Sequence, residues 1–454
     1  MNISIFISLL FALQILYWIV GRASSKKING KDDYFLAGRS VKLFPLMMTF
    51  LATQVGGGMI LGAANEAYVF GWPVLLYPLG GALGLIFLGS GMGKKLAEFK
   101  VSTVAQIFEV TYGSKMLKKV ASILSIASLF MILVGQIIAS NKFLVSIGFN
   151  NQALFIAFWA IVIIYTAQGG LKAVISTDIV QAIFFSVMFL VCFGFVLYTT
   201  TEAQSIPSPT WGNFTDVSPK MCGWLLMPLL FMVIEQDMGQ RCFAGASSKI
   251  VSRASFLAGI ISLIVCIVPV FFGSLASSMG MQVPEGGSVL MTFISKTTGP
   301  WMTALTGCAI LAAIISTATS LINAISSNLS NDFKLPVFKK VNTMRVMQGI
   351  TCIISIGAIF FAFYFDNVVD ILIQNYELSV SCLFIPLFIA LFKKRGNFLS
   401  ALIAIAFGAA GFVLFRIYPM AFPKEIASIL LSLTGYGIGE LITHYQNKRI
   451  NQIA

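Results

Sequence analysis

Charged side chains are scarce in this sequence of 454 residues: only 10% are Asp, Glu, Lys or Arg, whereas 57% are hydrophobic. A soluble domain usually carries about 25% charged residues. The shortage therefore argues against a soluble protein. It predicts a chain whose surface mostly faces lipid.

Histidine and cysteine are also sparse. His444 is the only histidine, and the seven cysteines are scattered without the spacing of a metal site or a disulfide framework. Most cysteines lie in or beside apolar runs, where they are interpreted as small apolar side chains. No nucleophile–base pair or metal cluster supports a membrane-embedded enzyme, so that alternative is disfavoured.

Long polar linkers are missing too, because thirteen apolar segments follow one another with short loops between them. A hydrocarbon core about 30 Å thick is crossed by about 20 apolar residues in a helix. The predicted spans are 4–20, 43–68, 73–93, 120–140, 150–168, 175–198, 222–240, 254–279, 300–326, 346–365, 368–392, 397–416 and 425–443. The first has no basic leading region and no small-residue cleavage site, so it is interpreted as a retained span.

The basic residues indicate how these spans are oriented. The formal net charge is +13, and the 30 Lys and Arg residues lie mainly in the short loops. If the N-terminus is outside, twenty-five of the 30 fall in cytoplasmic segments, as the positive-inside rule requires. The sequence therefore predicts a multi-pass protein of the cell membrane with a cytoplasmic C-terminus. Because the basic residues set topology, no nucleic-acid partner is expected.

Glycine interrupts the second segment near its middle. Gly56, Gly57 and Gly58 follow Gln54 closely, and three glycines cost a helix roughly 3 kcal/mol relative to alanine. A helix broken at the membrane midplane frees backbone carbonyls that bind a cation or a solute. The alternative interpretation is that the glycines only allow close helix packing.

The ninth segment carries polar side chains on one helical face, at intervals of four, three and four residues: Ser316, Ser320, Asn323 and Ser327. Hydroxyl oxygens are hard ligands that suit an alkali cation, although they also form hydrogen bonds between helices. Counted along their helices, Ala52 and Ser316 lie about 14 and 15 Å from the inner ends of their spans, so the two depths match.

Acidic residues are rare within the segments. Asp178 is the sole acid of the sixth segment, near its cytoplasmic end, where it either binds a cation or reaches water. The seventh segment is interrupted between Glu235 and Gly239, where the helix either unwinds or ends early.

Four motifs resemble the sodium:solute symporter family, which contains proline, pantothenate, sugar and sialic acid symporters. They are DDYFLAGRS (32–40), GGLKAVISTDIVQ (169–181), QRCFAGASSK (240–249) and AAIISTATS (312–320), in the order expected of the family. The resemblance implies an all-α polytopic membrane protein with a leucine-transporter-type core of two inverted five-helix repeats.

The resemblance also implies a division of the chain. An extra N-terminal helix and loop (1–42) would precede the first repeat (43–198), and the second repeat would cover 222–392. Two extra C-terminal helices and a short tail would occupy 393–454. Because five is an odd number, the two sets of five spans must point in opposite directions, as inverted repeats require.

The family's sodium ligands carry over position by position. The main site would use the carbonyls and hydroxyls of Ala52, Val55, Ala313, Ser316 and Thr317. A second site, found in some members, would use Asp178, Ser316, Thr319 and Ser320. Members related to the proline symporter carry an aspartate at the position of Gln54, so the chain departs from them there.

The sequence thus predicts a sodium-coupled symporter that brings a small polar solute, such as an amino acid or an organic acid, into the cell as a monomer. Sodium, the co-transported ion, is the only metal expected. The solute is expected to contact Gln54, Gly56, Gly57, Glu235 and Gln236. A proton-coupled carrier is the main alternative, although serine and threonine do not titrate. A channel is less favoured, since it would commonly need repeated subunits and rings of like charge.

Overall fold

The computed structural model describes residues 3–25, 30–149, 152–202, 208, 210–212, 214–333, 343–365, 367–393, 395–418 and 420–453. Within these ranges the chain is helical, and the β-type pairing is limited to one isolated bridge, between Val41 and Gly245. The helices are α1 (Ile3–Ser25), α2 (Lys31–Leu36), α3 (Leu43–Gln54), α4 (Gly58–Phe70), α5 (Trp72–Glu98), α6 (Val104–Tyr112), α7 (Lys115–Ser146), α8 (Gln152–Glu202), α9 (Phe214–Ile234), α10 (Gln236–Ala244), α11 (Ser248–Ser278), α12 (Val289–Thr297), α13 (Pro300–Asp332), α14 (Thr343–Ala362), α15 (Val368–Ala390), α16 (Phe398–Ile417) and α17 (Lys424–Ile453).

Ten helices in the described ranges are long and apolar enough to cross a membrane, and the bent pair α3 and α4 raises the number to eleven. Lipid offers no water to backbone N–H and C=O groups, so spans that satisfy these groups internally are expected to be helices. The two remaining predicted segments, 150–168 and 346–365, contain the shorter apolar helices Phe155–Ile164 and Gln348–Ala362. The all-helical polytopic fold is confirmed, whereas the count of thirteen spans stays a prediction.

Helix α13 lies at the centre of the bundle. Its most apolar stretch is entirely buried by other parts of the protein, and α13 packs against α1, α3, α7 and α8. Its many alanine and serine residues let these neighbours approach closely. The polar face predicted from the sequence is therefore enclosed by protein and not exposed to lipid.

The predicted break in the second segment is confirmed: α3 ends at Gln54, α4 begins at Gly58, and the two axes differ by 53°. Gln136 of α7 stabilises the break, because its Oε1 accepts a hydrogen bond of 2.7 Å from the freed N–H of Gly57. A side chain at Gly56 would not fit, since a Cβ there would lie 2.5 Å from the Thr317 Oγ1 atom. The glycine run therefore serves both the break and the close approach of α13.

The seventh segment is also broken, so the helix neither ends nor continues straight there. Helix α9 ends at Ile234, Glu235 adopts an extended conformation with φ −69° and ψ 130°, and α10 starts directly after it. All nine residues of α10 are buried. The break thus carries Arg241, which directly follows the predicted segment 222–240 and counts among the basic residues of the cytoplasmic segments in the topology prediction, into the interior of the bundle.

Two of the sequence motifs meet at one end of the bundle. The N–H of Val41 donates to the Ala244 carbonyl (3.1 Å), and the N–H of Ala246 donates to the Val41 carbonyl (2.9 Å). The Gln240 side chain also donates to the Phe35 carbonyl (2.6 Å). These bonds fix α10 against the segment that precedes α3, so the two broken spans are held relative to each other.

Candidate functional site

Oxygen atoms from α3 and α13 converge beside the first break. The Ser316 hydroxyl lies 2.9 Å from the Ala52 carbonyl and 2.8 Å from the Ala313 carbonyl. The Thr317 hydroxyl lies 3.2 Å from each of the same two carbonyls. The structure therefore brings together four of the five oxygen ligands predicted for the main sodium site. A hydroxyl can rotate to present its lone pairs, so the same atoms can surround a small cation.

Val55, the fifth predicted ligand, lies where α3 ends. Its φ of −88° and ψ of 81° are not helical, so its carbonyl points away from the helical direction. Its N–H still donates to the Leu51 carbonyl (2.9 Å). The chain thus leaves the helix at Val55, which frees this carbonyl from the α3 hydrogen-bond ladder.

A buried arginine lies at the predicted second site. Arg241 is fully buried, and its Nη2 atom lies 3.3 Å from the Asp178 Oδ2 atom and 2.6 Å from the Ser320 hydroxyl. Its Nε donates to the Thr49 hydroxyl (2.9 Å), and its Nη1 donates to the Asp237 carbonyl (3.0 Å). A buried charge of this kind requires both a counter-ion and hydrogen-bond acceptors, and Arg241 has both.

Asp178 itself is only half satisfied. Its Oδ2 atom accepts from the Thr49 hydroxyl (2.5 Å) and from Arg241, whereas its Oδ1 atom is buried and has no hydrogen-bond partner among the described residues. The Thr319 hydroxyl donates to the Ser316 carbonyl (3.0 Å). The structure therefore brings Asp178 and Ser320 together through Arg241 and leaves one carboxylate oxygen free. Of the two interpretations of Asp178, a boundary charge in water does not fit its complete burial.

A small cavity lies between the two breaks, with a volume of about 20 Å³, which is room for about one water molecule. Its lining includes the predicted solute-binding residues Gln54, Gly56 and Glu235. Thr317 also lines this cavity, so one residue contacts both the predicted ion ligands and the solute space. A solute needs more room than this, so its binding requires the lining side chains to move apart.

Two predicted solute-binding residues have other partners in this structure. The Gln236 Oε1 atom accepts from the N–H of Val104 (2.7 Å), and its Nε2 atom donates to the Ser102 carbonyl (3.3 Å). Gln236 therefore holds the start of α6 and does not line the cavity. Gly57 donates its N–H to Gln136 and is not itself among the residues that line the cavity.

Sequence reasoning missed several residues of the site. The cavity wall also includes Tyr77, Gln136 and Tyr376. Asp237, which falls within the predicted interruption, lines it too, and its carbonyl accepts a hydrogen bond from Arg241. One signal was available for Gln136, which is a lone amide within the apolar stretch 129–139. Tyr77 and Tyr376 gave no signal, because isolated tyrosines in apolar spans are common at membrane interfaces.

A match between this chain and a protein-family model shows which family the chain belongs to. The model of the sodium:solute symporter family matches residues 34–408, which is most of the chain. The chain belongs to this family. The resemblance carried by the four sequence motifs is thereby confirmed.

The individual relatives share only a modest fraction of identical residues with this chain. The chain is 25% identical over 424 residues to the high-affinity choline transporter of Drosophila melanogaster, covering 87% of this chain and 67% of that protein. It is 25% identical over 356 residues to the sodium/sialic acid symporter of Proteus mirabilis, covering 72% and 70%. The chain spans only 56–59% of the length of the mouse and rat solute carrier family 5 relatives that it matches.

The fold is that of the leucine-transporter group. A solved structure of a Na⁺-coupled sialic acid symporter, in a substrate-bound outward-open state, superposes with a TM-score of 0.75. The alignment covers 97% of both chains at 20% sequence identity. At this identity the likeness establishes the arrangement of the helices and leaves the solute open.

Proposed function

We propose that this protein is a secondary active transporter that couples inward sodium movement to the uptake of a small polar solute. The observation that carries the proposal is the position of Thr317. Its hydroxyl is within hydrogen-bond distance of the Ala52 and Ala313 carbonyls, and the same residue lines the cavity between the two broken spans. An ion bound there would hold α3 and α13 together and would shape the solute space beside them, which is what coupling requires.

The main ion site in this proposal consists of Ala52, Val55, Ala313, Ser316 and Thr317. Three carbonyls and two hydroxyls offer five neutral oxygen atoms from two helices. A carbonyl freed at a helix break has lost its intrahelical donor, so it gains from a cation. Since neither carbonyls nor hydroxyls titrate, this ligand set favours sodium over a proton.

The second sodium site is proposed to bind its ion only under one condition. Asp178, Ser316, Thr319 and Ser320 are its ligands, and the free Oδ1 atom of Asp178 supports a role in binding a cation. Arg241 already contacts Asp178 and Ser320. A sodium ion would therefore use this site only in a conformation in which Arg241 has withdrawn.

Proton coupling is the main alternative to sodium, because acidic groups also lie near the cavity. Glu235 and Asp237 both line it.

Uptake into proteoliposomes shows whether a sodium gradient or a proton gradient drives transport. With radiolabelled choline, sialic acid and pantothenate as probes, at least one should accumulate under an inward sodium gradient and not under an equal potassium gradient. Accumulation driven only by a proton gradient would show that the coupling ion is a proton and not sodium. If no probe accumulates, the proposed transport function is contradicted.

The proposed arrangement in the membrane follows the sequence prediction. The repeats 43–198 and 222–392 form the inverted core, the flanking segments 1–42 and 393–454 lie outside it, and one chain suffices for transport. The N-terminus lies outside the cell and the C-terminus in the cytoplasm. Among the basic residues behind this orientation, Lys26, Lys27, Lys334, Lys339, Lys340 and Lys394 lie outside the described residues.

Cysteine labelling tests this topology. Ser208 and Ser247 are both exposed and fall in loops predicted on opposite sides of the membrane. The native Cys222 and Cys352 are only partly buried, so both are first replaced with serine. A membrane-impermeant maleimide should label Ser208→Cys on intact cells, and should label Ser247→Cys only after the membrane is opened. Labelling of both from the same side would show that the predicted number of intervening spans is wrong.

A further inference from the structure

We propose that the transported solute is a small organic cation and that Glu235 binds its positively charged nitrogen. This inference rests on the proposed function, because it assigns a solute to the cavity between the two breaks. It departs from the amino-acid or organic-acid solute that the sequence suggests, and it rests on the charges and aromatic rings that surround the cavity.

The charges around the cavity are negative. Among the residues that the structure describes, its lining includes two acidic side chains, those of Glu235 and Asp237, and no Lys, Arg or His. The neighbouring Arg241 is engaged with Asp178, with two hydroxyls and with two backbone carbonyls. Three buried carboxyl groups therefore lie around one buried arginine. An anionic solute would meet acidic groups in a low-dielectric space without a basic partner of its own, which is unfavourable.

The Glu235 and Asp237 carboxyl groups interact with each other, and they differ in their remaining partners. The Asp237 Oδ1 atom accepts from the N–H of Met238 (2.8 Å) in the first turn of α10, so Asp237 stabilises the start of that helix. Glu235 is only 6% exposed, and its Oε2 atom is buried without a hydrogen-bond partner among the described residues. A buried carboxylate oxygen without a donor is costly. An ammonium group in the cavity would supply both the charge and the donor, or the charge alone if its nitrogen is fully alkylated.

Aromatic rings complete the environment that a cation requires. Tyr77 and Tyr376 line the cavity, and the Tyr376 ring packs on the Phe231 ring with centroids 4.4 Å apart. Ring faces attract alkylated ammonium groups through their quadrupoles, most strongly when the groups are desolvated. Met232 and Leu372 add an apolar wall suited to alkyl substituents. These features favour a compact, alkylated ammonium compound over a sugar or an acid.

The test measures ligand-induced thermal stabilisation of the purified full-length protein in sodium. The probes are choline, tetramethylammonium, pantothenate and the neutral analogue of choline in which carbon replaces the quaternary nitrogen. We expect at least one of the two cations to stabilise the wild-type protein at concentrations about tenfold or more below those needed for the neutral analogue. Glu235→Gln should remove this preference. Glu66→Gln is the matched control, because Glu66 is also buried but lies beside Lys220 and Asn367 and does not line the cavity.

Three results would overturn the assignment: stabilisation by neither cation, stabilisation by pantothenate at equal or lower concentration, or an unchanged cation preference in Glu235→Gln. Repeating the series with potassium in place of sodium separates this inference from the proposed function. Cation-selective binding that is the same in sodium and in potassium would contradict sodium coupling and support the cationic solute. Sodium-dependent binding of an anion would support sodium coupling and contradict the cationic solute.

Discussion

Replacing Ser316 or Thr317 with alanine is expected to raise the sodium concentration for half-maximal thermal stabilisation by about tenfold or more, or roughly 1.4 kcal/mol per lost ligand. Each hydroxyl lies within 3.2 Å of the Ala52 carbonyl. Its removal leaves the ion with one oxygen fewer. Ser316→Ala changes the volume of the core little, whereas Thr317→Ala also removes a buried methyl group. The affinity for solute should fall with the affinity for sodium, because coupling between two ligands is reciprocal.

A matched control is available on the same helix. Ser326 is fully buried in α13, and its hydroxyl lies 2.9 Å from the Thr351 hydroxyl, away from the break. Ser326→Ala should lower the stability of the protein and leave the sodium midpoint unchanged. If Ser316→Ala and Thr317→Ala behave in the same way, their hydroxyls only connect helices and the proposed ion site is wrong.

Arg241→Gln is expected to reduce the amount of folded protein severely. The substitution leaves the fully buried carboxylate of Asp178 without its counter-ion, and breaking a buried ion pair in this way costs about 3–5 kcal/mol. Combining Arg241→Gln with Asp178→Asn should recover much of the loss, because the carboxylate that loses its ion-pair partner is then removed as well. Thermal unfolding of the two single variants and the double variant measures this coupling.

The control for this series is Arg253→Gln, the same substitution at an exposed position of α11. It should leave the unfolding temperature nearly unchanged. If Arg241→Gln is equally harmless, or if Asp178→Asn gives no recovery, the ion pair does not stabilise the bundle. The double variant also bears on the second sodium site, since it removes both the acid and the arginine that contacts it.

The sequence was sufficient to predict features that depend on local chemistry. Three successive glycines weaken a helix wherever they occur, so the break at Gly56–Gly58 followed from composition alone. The hydroxyls of α13 recur at helical spacing, so their common face was also predictable. The convergence of Ser316 with Ala52, by contrast, followed from matched depths together with the family resemblance, and the structure places the two within 2.9 Å.

Features that depend on the path of the chain after a break were not predictable. An arginine directly after an apolar segment of nineteen residues (222–240) is ordinarily interpreted as the start of a loop, yet a new buried helix that contains Arg241 starts after the extended residue Glu235. The same turn directs Gln236 towards Val104 and away from the cavity. The periodicity of one segment cannot show which side chains a restarted helix will direct inward, since this depends on a few backbone dihedral angles.

Equilibrium binding of radioactive sodium to the purified protein tests the central claim most directly. The wild-type protein should bind sodium saturably, unlabelled sodium should displace the label, and potassium at the same concentration should not. Ser316→Ala combined with Thr317→Ala should abolish the saturable binding while the protein remains folded. Absence of saturable sodium binding to the wild type, or undiminished binding to the double variant, would contradict the proposed site.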